Sequence, residues 1–213
     1  MNKALFGAGC FWGVQEYFRN LPGVLETKVG YSGGKTNNPT YESVCYDNTE
    51  HAEVLEIVFD DTKIKFEELL ESFWKCHDPT TKDRQGPDIG NQYRSIIFYY
   101  NDDQKQIAEK SKANIQENYK NLIVTEIIKF EKFYLAEEYH QDYIQKSKKK
   151  LKFMYPDFFY ALIIGWFILL LFWLIILIFI YFRKPPNSKL SKRLSFGSLM
   201  IFLILLLSII YLY

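Results

Sequence analysis

The apolar residues fall into short runs of changing period, and each change marks an element. Residues 3–7 form a brief apolar stretch that predicts a strand. Over residues 10–21 the apolar positions Phe11, Val14, Phe18 and Leu21 recur at helical spacing, and Pro22-Gly23 ends that helix. Residues 24–30 alternate weakly, as a strand does, and a stretch rich in Gly, Asn and Thr then runs to His51 without a sustained period. A loop that long inside a compact domain usually carries function. AEVLEIVF, residues 52–59, predicts another strand, and Phe66, Leu69, Leu70, Phe73 and Trp74 mark the buried stripe of a helix. A second polar loop, HDPTTKDRQGPDIGNQ, leads to a strand over 93–100 and a helix over 102–122 with aspartate at its cap. A strand over 123–130 and a last helix over 135–147 complete this part. Strand, helix, strand, strand, helix, strand is the order of a split βαβ unit, here with one further helix and strand. The expectation is an α+β fold, a ferredoxin-like α/β sandwich with a mixed sheet.

Beyond residue 152 the pattern changes in kind. Residues 158–182 are 25 positions without a charge, and residues 194–213 are again uncharged. About 20 apolar residues suffice to cross a hydrocarbon core, so hydropathy predicts a two-helix transmembrane hairpin, with a low-complexity apolar extension as the other reading. Charge draws the same line: residues 1–152 carry 21 Lys+Arg and 24 Asp+Glu, residues 153–213 only five basic and one acidic. The expected division is a polar domain over 1–152 and a membrane anchor over 153–213. Lys146, Lys148, Lys149, Lys150 and Lys152 before the first span balance Arg183, Lys184, Lys189, Lys192 and Arg193 after it, which leaves the orientation tied. The first ten residues lack the apolar core of a secretory signal. The polar domain is therefore expected to face the cytosol, membrane-anchored, or to be cytoplasmic if the tail is not an anchor. Three cysteines without a CxxC fit a reducing compartment.

Candidate chemistry begins at GAGCFWG, residues 7–13. A cysteine at the first turn of a helix faces unpaired N–H groups and the positive end of the helix dipole, which favour thiolate. Cys10 is then a nucleophile, or else a small buried residue at a strand-to-helix junction. Phe11 and Trp12 point about 100° apart on a helix, so at most one is deep in the core unless the other lines a cleft, and an exposed aromatic beside a nucleophilic sulfur suggests a cage for a methyl group. Glu53 shares a strand face with Leu55, Ile57 and Phe59. Burial there raises a carboxyl pKa and makes a general acid, though strand ends also carry glutamate for no such reason. Tyr41, Tyr93 and Asp88 lie in or beside the polar loops and offer hydrogen bonds, but with 16 tyrosines in the chain packing is the competing reading of each. Cys45, Cys76, His51 and His77 match no zinc spacing, and no metal is expected.

GCFWG at 9–13, GYSGG at 30–34, NPTYESVC at 38–45, HAEVLEIVFD at 51–60, FWKCHDPT at 73–80, RQGPDIGNQYRS at 84–95 and AEEYHQDY at 136–143 resemble, in this order, the A-type peptide methionine sulfoxide reductases. The resemblance covers about residues 3–147 and implies reduction of the S epimer of methionine sulfoxide, free or within proteins. It implies that Cys10 attacks the sulfoxide sulfur, that Glu53 protonates the oxygen with help from Tyr41 and Tyr93, and that Phe11 and Trp12 enclose the methyl group. Cys10 is left as a sulfenic acid. Asp88 matches a position near the pocket; His77 and His140 match motifs behind it. Many relatives carry a resolving cysteine in a C-terminal Gly-rich segment; here KSKKKLKFMYPDFF stands there, and no cysteine follows Cys76. Recycling then falls to Cys45, Cys76 or an external thiol (thioredoxin, glutaredoxin or dithiothreitol), with the external thiol expected and no bound cofactor. The expected partners are oxidised proteins, free methionine sulfoxide and the membrane, with no nucleic acid and a monomeric chain. A membrane-tethered sensor of oxidised methionine without turnover is the alternative.

Overall fold

The computed structural model describes residues 2–154, 165–176 and 179 of the 213. Contacts divide the chain into two units, residues 1–151 and 152–213.

In the first unit β1 (Asn2–Ala8), α1 (Phe11–Phe18), β2 (Val24–Ser32), the short α2 (Tyr41–Tyr46), β3 (Ala52–Phe59) and α3 (Phe66–Cys76) follow in turn. After them come a small hairpin, β4 (Arg84–Gln85) and β5 (Asp88–Ile89), then β6 (Ser95–Tyr99), α4 (Asp102–Ile115), β7 (Glu126–Lys129), β8 (Phe133–Leu135) and α5 (Tyr143–Met154). Six strands make one sheet in the order β7-β6-β1-β3-β2-β8. Its middle four, β6-β1-β3-β2, pair antiparallel throughout, while β7 lies parallel to β6 at one edge. The α4 crossover permits that parallel pair, since parallel neighbours cannot be joined by a tight turn.

All eight residues of β3 are buried because both of its faces are covered. Leu55, Ile57 and Phe59 join the larger core on the α1 and α3 side, where Phe6 packs against Phe18, Phe66 and Phe73 at ring distances of 5.8, 6.1 and 5.1 Å. Ala52 and Val54 face the smaller cluster with Leu5, Ile96 and Phe98. Alternation therefore puts Glu53 on the helix side, directly across from Tyr31 of β2.

The segment after β7 departs from expectation. In place of a helix over 135–147, residues Phe133–Leu135 add an edge strand to β2, and α5 starts only at Tyr143. Leu135, Tyr139 and Tyr143 have helical spacing, but all three are exposed, so that stripe drives no helix burial. What wins is edge pairing. Gly30 makes it possible: a Cβ there would collide with the Tyr134 carbonyl oxygen. The Gln141 side chain then bonds both the N–H and the C=O of Val29, at 3.0 and 2.9 Å, and ties the following turn to β2.

The second unit corrects the hairpin expectation. Among the described residues no helix is long and apolar enough to cross a membrane. Of the expected span 158–182 the described residues are 165–176, which are helical, and 179. The expected span 194–213 lies outside the described residues. The transmembrane hairpin, the membrane partner and the membrane-anchored location are corrected accordingly.

Candidate active site

Cys10 is the residue that caps α1, with φ −56° and ψ 118°, and its thiol is half-buried. The turn that delivers it needs glycine at position 9. Gly9 has φ +92°, and a Cβ there would meet Gln85 Cγ of the small hairpin at 2.7 Å. That hairpin is itself pinned: Gln85 donates to the Asp78 carbonyl at 2.9 Å and accepts from the Asp78 N–H at 3.1 Å.

Glu53 arrives from β3, 1 % exposed, and its Oε2 accepts a hydrogen bond of 3.0 Å from the Phe11 N–H, next door to the thiol. Burial pushes the Glu53 carboxyl up to about 7, with the Asp88 charge adding to the rise and the Phe11 N–H opposing it. Burial and then the negative charge of Glu53 push the Cys10 thiol up to about 11. The N–H groups of Trp12 and Gly13 pull the other way, as a helix start should, and lose. The expected thiolate is thus a thiol in the resting site. The Glu53 carboxyl that a helix start cannot offset comes from a strand 42 residues away in sequence.

Phe11 is 1 % exposed and Trp12 half-buried, the division that neighbouring aromatics on a helix require. Tyr93 feels the charge of Glu53, and burial with that charge raises its phenol to about 12. Tyr41 opens α2; burial, then contact with the Cys45 thiol, raises its phenol too. Asp88 sits on β5, half-buried, close enough to act on Cys10, Glu53 and Tyr93 alike. The structure therefore brings together Cys10, Phe11, Trp12, Tyr41, Glu53, Asp88 and Tyr93.

The two histidines separate. His140 joins the site, its ring 4.5 Å from that of Tyr41 and its Nδ1 accepting from the Trp12 indole N–H at 3.0 Å. His77 instead caps α3. It bonds the Phe73 carbonyl and the Ser95 hydroxyl, each at 2.7 Å, and burial holds it neutral with its pKa lowered to about 4. A groove of about 820 Å³ between α3 and α4 touches His77 but none of the other expected residues, and no cysteine lines it. His51 and Cys76 are also occupied locally. His51 bonds the Gly34 N–H at 3.1 Å and the Thr36 carbonyl at 2.8 Å, and the Cys76 thiol donates to the Phe73 carbonyl at 3.2 Å. Among the described residues no group of three or more His, Cys, Asp or Glu side chains is placed to hold a metal ion.

Sequence reasoning missed Glu137 and Tyr31. Glu137 Oε1 accepts from the Tyr41 N–H at 2.9 Å and its Oε2 from the Tyr31 hydroxyl at 3.0 Å, joining α2 to β2 behind the pocket. The available signal was the register that sets Tyr31 across from Glu53.

Comparison with known proteins agrees with this geometry. Residues 2–159 match the family model of peptide methionine sulfoxide reductase. The peptide methionine sulfoxide reductase MsrA of Methanosarcina mazei is 53% identical over 149 residues, covering 69% of this chain and 71% of that protein. The MsrA of Methanothermobacter thermautotrophicus is 51% identical over 150 residues, covering 70% and 89%. Among solved structures, Mxr1 from Saccharomyces cerevisiae in reduced form has a TM-score of 0.66 at 37% identity, covering 68% of this chain and 84% of that one. Methionine sulfoxide reductase A of Corynebacterium diphtheriae has a TM-score of 0.62 at 36% identity, covering 68% and 74%. The chain belongs to the peptide methionine sulfoxide reductase family, and its activity is the thiol-dependent reduction of methionine sulfoxide.

Proposed function

We propose that Cys10 is the nucleophile, Glu53 the acid, and the S epimer of methionine sulfoxide, free or within proteins, the substrate. A sulfoxide sulfur is a poor electrophile until its oxygen takes a proton, so both groups are needed at one place. With Glu53 at about 7 and Cys10 at about 11, the resting pair holds its proton on sulfur. The tautomer with the proton on Glu53 and the charge on Cys10 is then the minor one. A bound sulfoxide shifts that balance, because its oxygen accepts the Glu53 proton as the thiolate attacks. Tyr41 and Tyr93 donate hydrogen bonds to the same oxygen, Phe11 and Trp12 enclose the methyl group, and Asp88 keeps both pKa values high.

The electrons balance within the pair of sulfurs. Cys10 gains the oxygen and is oxidised by two electrons to the sulfenic acid, and the sulfoxide is reduced by two to the thioether, which leaves. An external thiol of the thioredoxin, glutaredoxin or dithiothreitol kind then condenses with the sulfenic acid, releasing water. A second thiol then attacks that mixed disulfide, frees Cys10, and leaves joined to the first thiol as a disulfide. Cys76 is a poor resolver, since its thiol is held to the Phe73 carbonyl with its pKa raised by burial to about 12. The alternative of a sensor without turnover gains no support from a site where nucleophile and acid lie together.

The observation that carries this reading is the 3.0 Å bond from the Phe11 N–H to Glu53, which fixes the acid beside the thiol. Dithiothreitol-driven reduction of each epimer by the protein and by Cys10→Ser tests it. Turnover of the S epimer alone, abolished by the substitution, is expected. Activity surviving in Cys10→Ser, or equal turnover of both epimers, would sink it.

A further inference from the structure

We propose that His140, held in one tautomer by Glu137, is the positioning residue that sets the attitude of Trp12 at the site, an inference resting on the reductase reading above. His140 is 1 % exposed on the turn that follows β8. Its Nδ1 accepts from the Trp12 indole N–H at 3.0 Å, and an indole only donates, so the ring proton sits on Nε2. That Nε2–H is buried with no hydrogen-bond partner among the described residues. It faces Glu137 Oε2 at 3.9 Å, too long for a hydrogen bond but close enough for the carboxylate to favour a proton on that nitrogen.

A buried donor left unpaired is costly, and a packing residue of similar size would avoid the cost. What imidazole supplies here is the acceptor at Nδ1. Burial lowers the His140 pKa, with the Glu137 charge opposing, so the ring stays neutral and that lone pair remains available. The indole is clamped twice over. Its edge is bonded to His140, and one face stacks on Tyr143 with ring centroids 3.9 Å apart and planes 12° apart. On the reductase reading the opposite face is the one offered to the substrate, and its tilt decides how closely a methyl group is enclosed. Glu137 connects the same ring to the other side of the pocket, because its second oxygen seats the Tyr41 N–H and the Tyr41 ring lies 4.5 Å from His140.

The test compares the full chain with His140→Leu, His140→Asn and Glu137→Gln. Two quantities are read: steady-state turnover of S-methyl against S-ethyl sulfoxide, and the indole N–H resonance assigned through Trp12→Phe. In His140→Leu the indole resonance shifts, KM for the methyl substrate rises by roughly 5- to 20-fold with kcat changing far less, and the preference for methyl over ethyl weakens. His140→Asn restores all three, because an amide oxygen replaces Nδ1 as acceptor. Glu137→Gln shifts the resonance in the same direction by less. An unmoved resonance and an unchanged methyl-to-ethyl ratio in His140→Leu would overturn the proposal. So would a His140→Asn protein that behaves like the leucine variant, while an unmoved resonance in Glu137→Gln would remove Glu137 from it. The resonance needs no turnover, so an inactive parent protein would sink the reductase reading and leave this one still measurable.

Discussion

Glu53→Gln should move two properties of the same cysteine in opposite directions. Glutamine keeps an oxygen for the Phe11 N–H, so the 3.0 Å bond and the local geometry survive. What goes is the titrating proton and the negative charge. Loss of a general acid should lower kcat/KM for methionine sulfoxide by about 10²- to 10⁴-fold. Loss of the charge acts on Cys10, whose thiol stands at about 11 because of burial first and Glu53 next. At pH 8 its thiolate fraction in the parent is about 10⁻³. A unit charge in the same partly buried pocket, at an effective dielectric near 20, is worth about 2 kcal/mol, or about 1.5 pKa units. The thiolate fraction, and with it the rate of iodoacetamide alkylation at Cys10, should rise by roughly 10- to 30-fold.

Peptide mapping in a background lacking Cys45 and Cys76 measures that alkylation, and the epimer assay measures turnover. Slower alkylation in Glu53→Gln would refute the electrostatic argument, and turnover within threefold of the parent would refute the acid. The parent's pH profile bears on the same point. The reactive species carries one proton on the pair, so kcat/KM should climb as pH rises through about 7 and fall only toward 11.

Stability carries the same shifts with opposite signs at two residues. Folded Glu53 holds its proton more tightly than the unfolded chain, about 7 against 4.5, so stability falls as pH rises through that window. Glu53→Gln, followed by urea melts, should therefore gain about 3 kcal/mol on the parent between pH 4.5 and 7. Folded His77 stays neutral down to about 4 against 6.5 unfolded, so its contribution is lost as pH falls from 6.5 to 4. The advantage of the parent over His77→Gln should shrink by about 3 kcal/mol across those values, measured the same way. Tyr93→Phe should reduce kcat/KM by about 5- to 10-fold and the Tyr41→Phe, Tyr93→Phe pair by about 10²-fold, provided both phenols meet the sulfoxide oxygen. Mass spectrometry after one turnover without reductant should find a trappable sulfenic acid at Cys10, and a disulfide joining Cys10 to Cys45 or Cys76 would dismiss the external thiol.

The sequence made some of these features readable because their causes are local. Period-two alternation in AEVLEIVF set Glu53 among Leu55, Ile57 and Phe59, and that is the face on which the larger core lies. The turn residues around Cys10 placed it at a helix start, where it caps α1. At α4 the reading missed both ends: Asn101, and not an aspartate, caps the helix by accepting the Gln104 N–H at 2.9 Å, and the helix stops at Ile115 and not Leu122. Features that depend on distant pairing were not readable. The thiol's high pKa comes from burial first and then from the Glu53 charge brought in by β3. The turn carrying Glu137 and His140 is fastened by Gln141 to Val29, by Asp142 to Gln15 and, at 2.7 Å, by Asp142 to Arg19. No periodicity within residues 133–143 encodes those bonds, and the exposed aromatic spacing there points to a helix that does not form. In the tail, no helix among the described residues is long and apolar enough to cross a membrane, and that is what overturns the hydropathy reading.

The placement of charge explains why a site for this reaction tolerates so unreactive a cysteine. A permanently ionised thiol at a helix start would react with any passing oxidant or alkylating agent. Burial first, then the charges of Glu53 and Asp88, keep the proton on Cys10. On the mechanism proposed above, a sulfoxide oxygen seated against Glu53 favours the proton on that carboxyl, which takes it from Cys10 and passes it to the oxygen as the sulfur attacks. Activation and recognition are thereby one event, and while Glu53 holds the proton the N–H groups of Trp12 and Gly13 are opposed at Cys10 by burial and Asp88 alone.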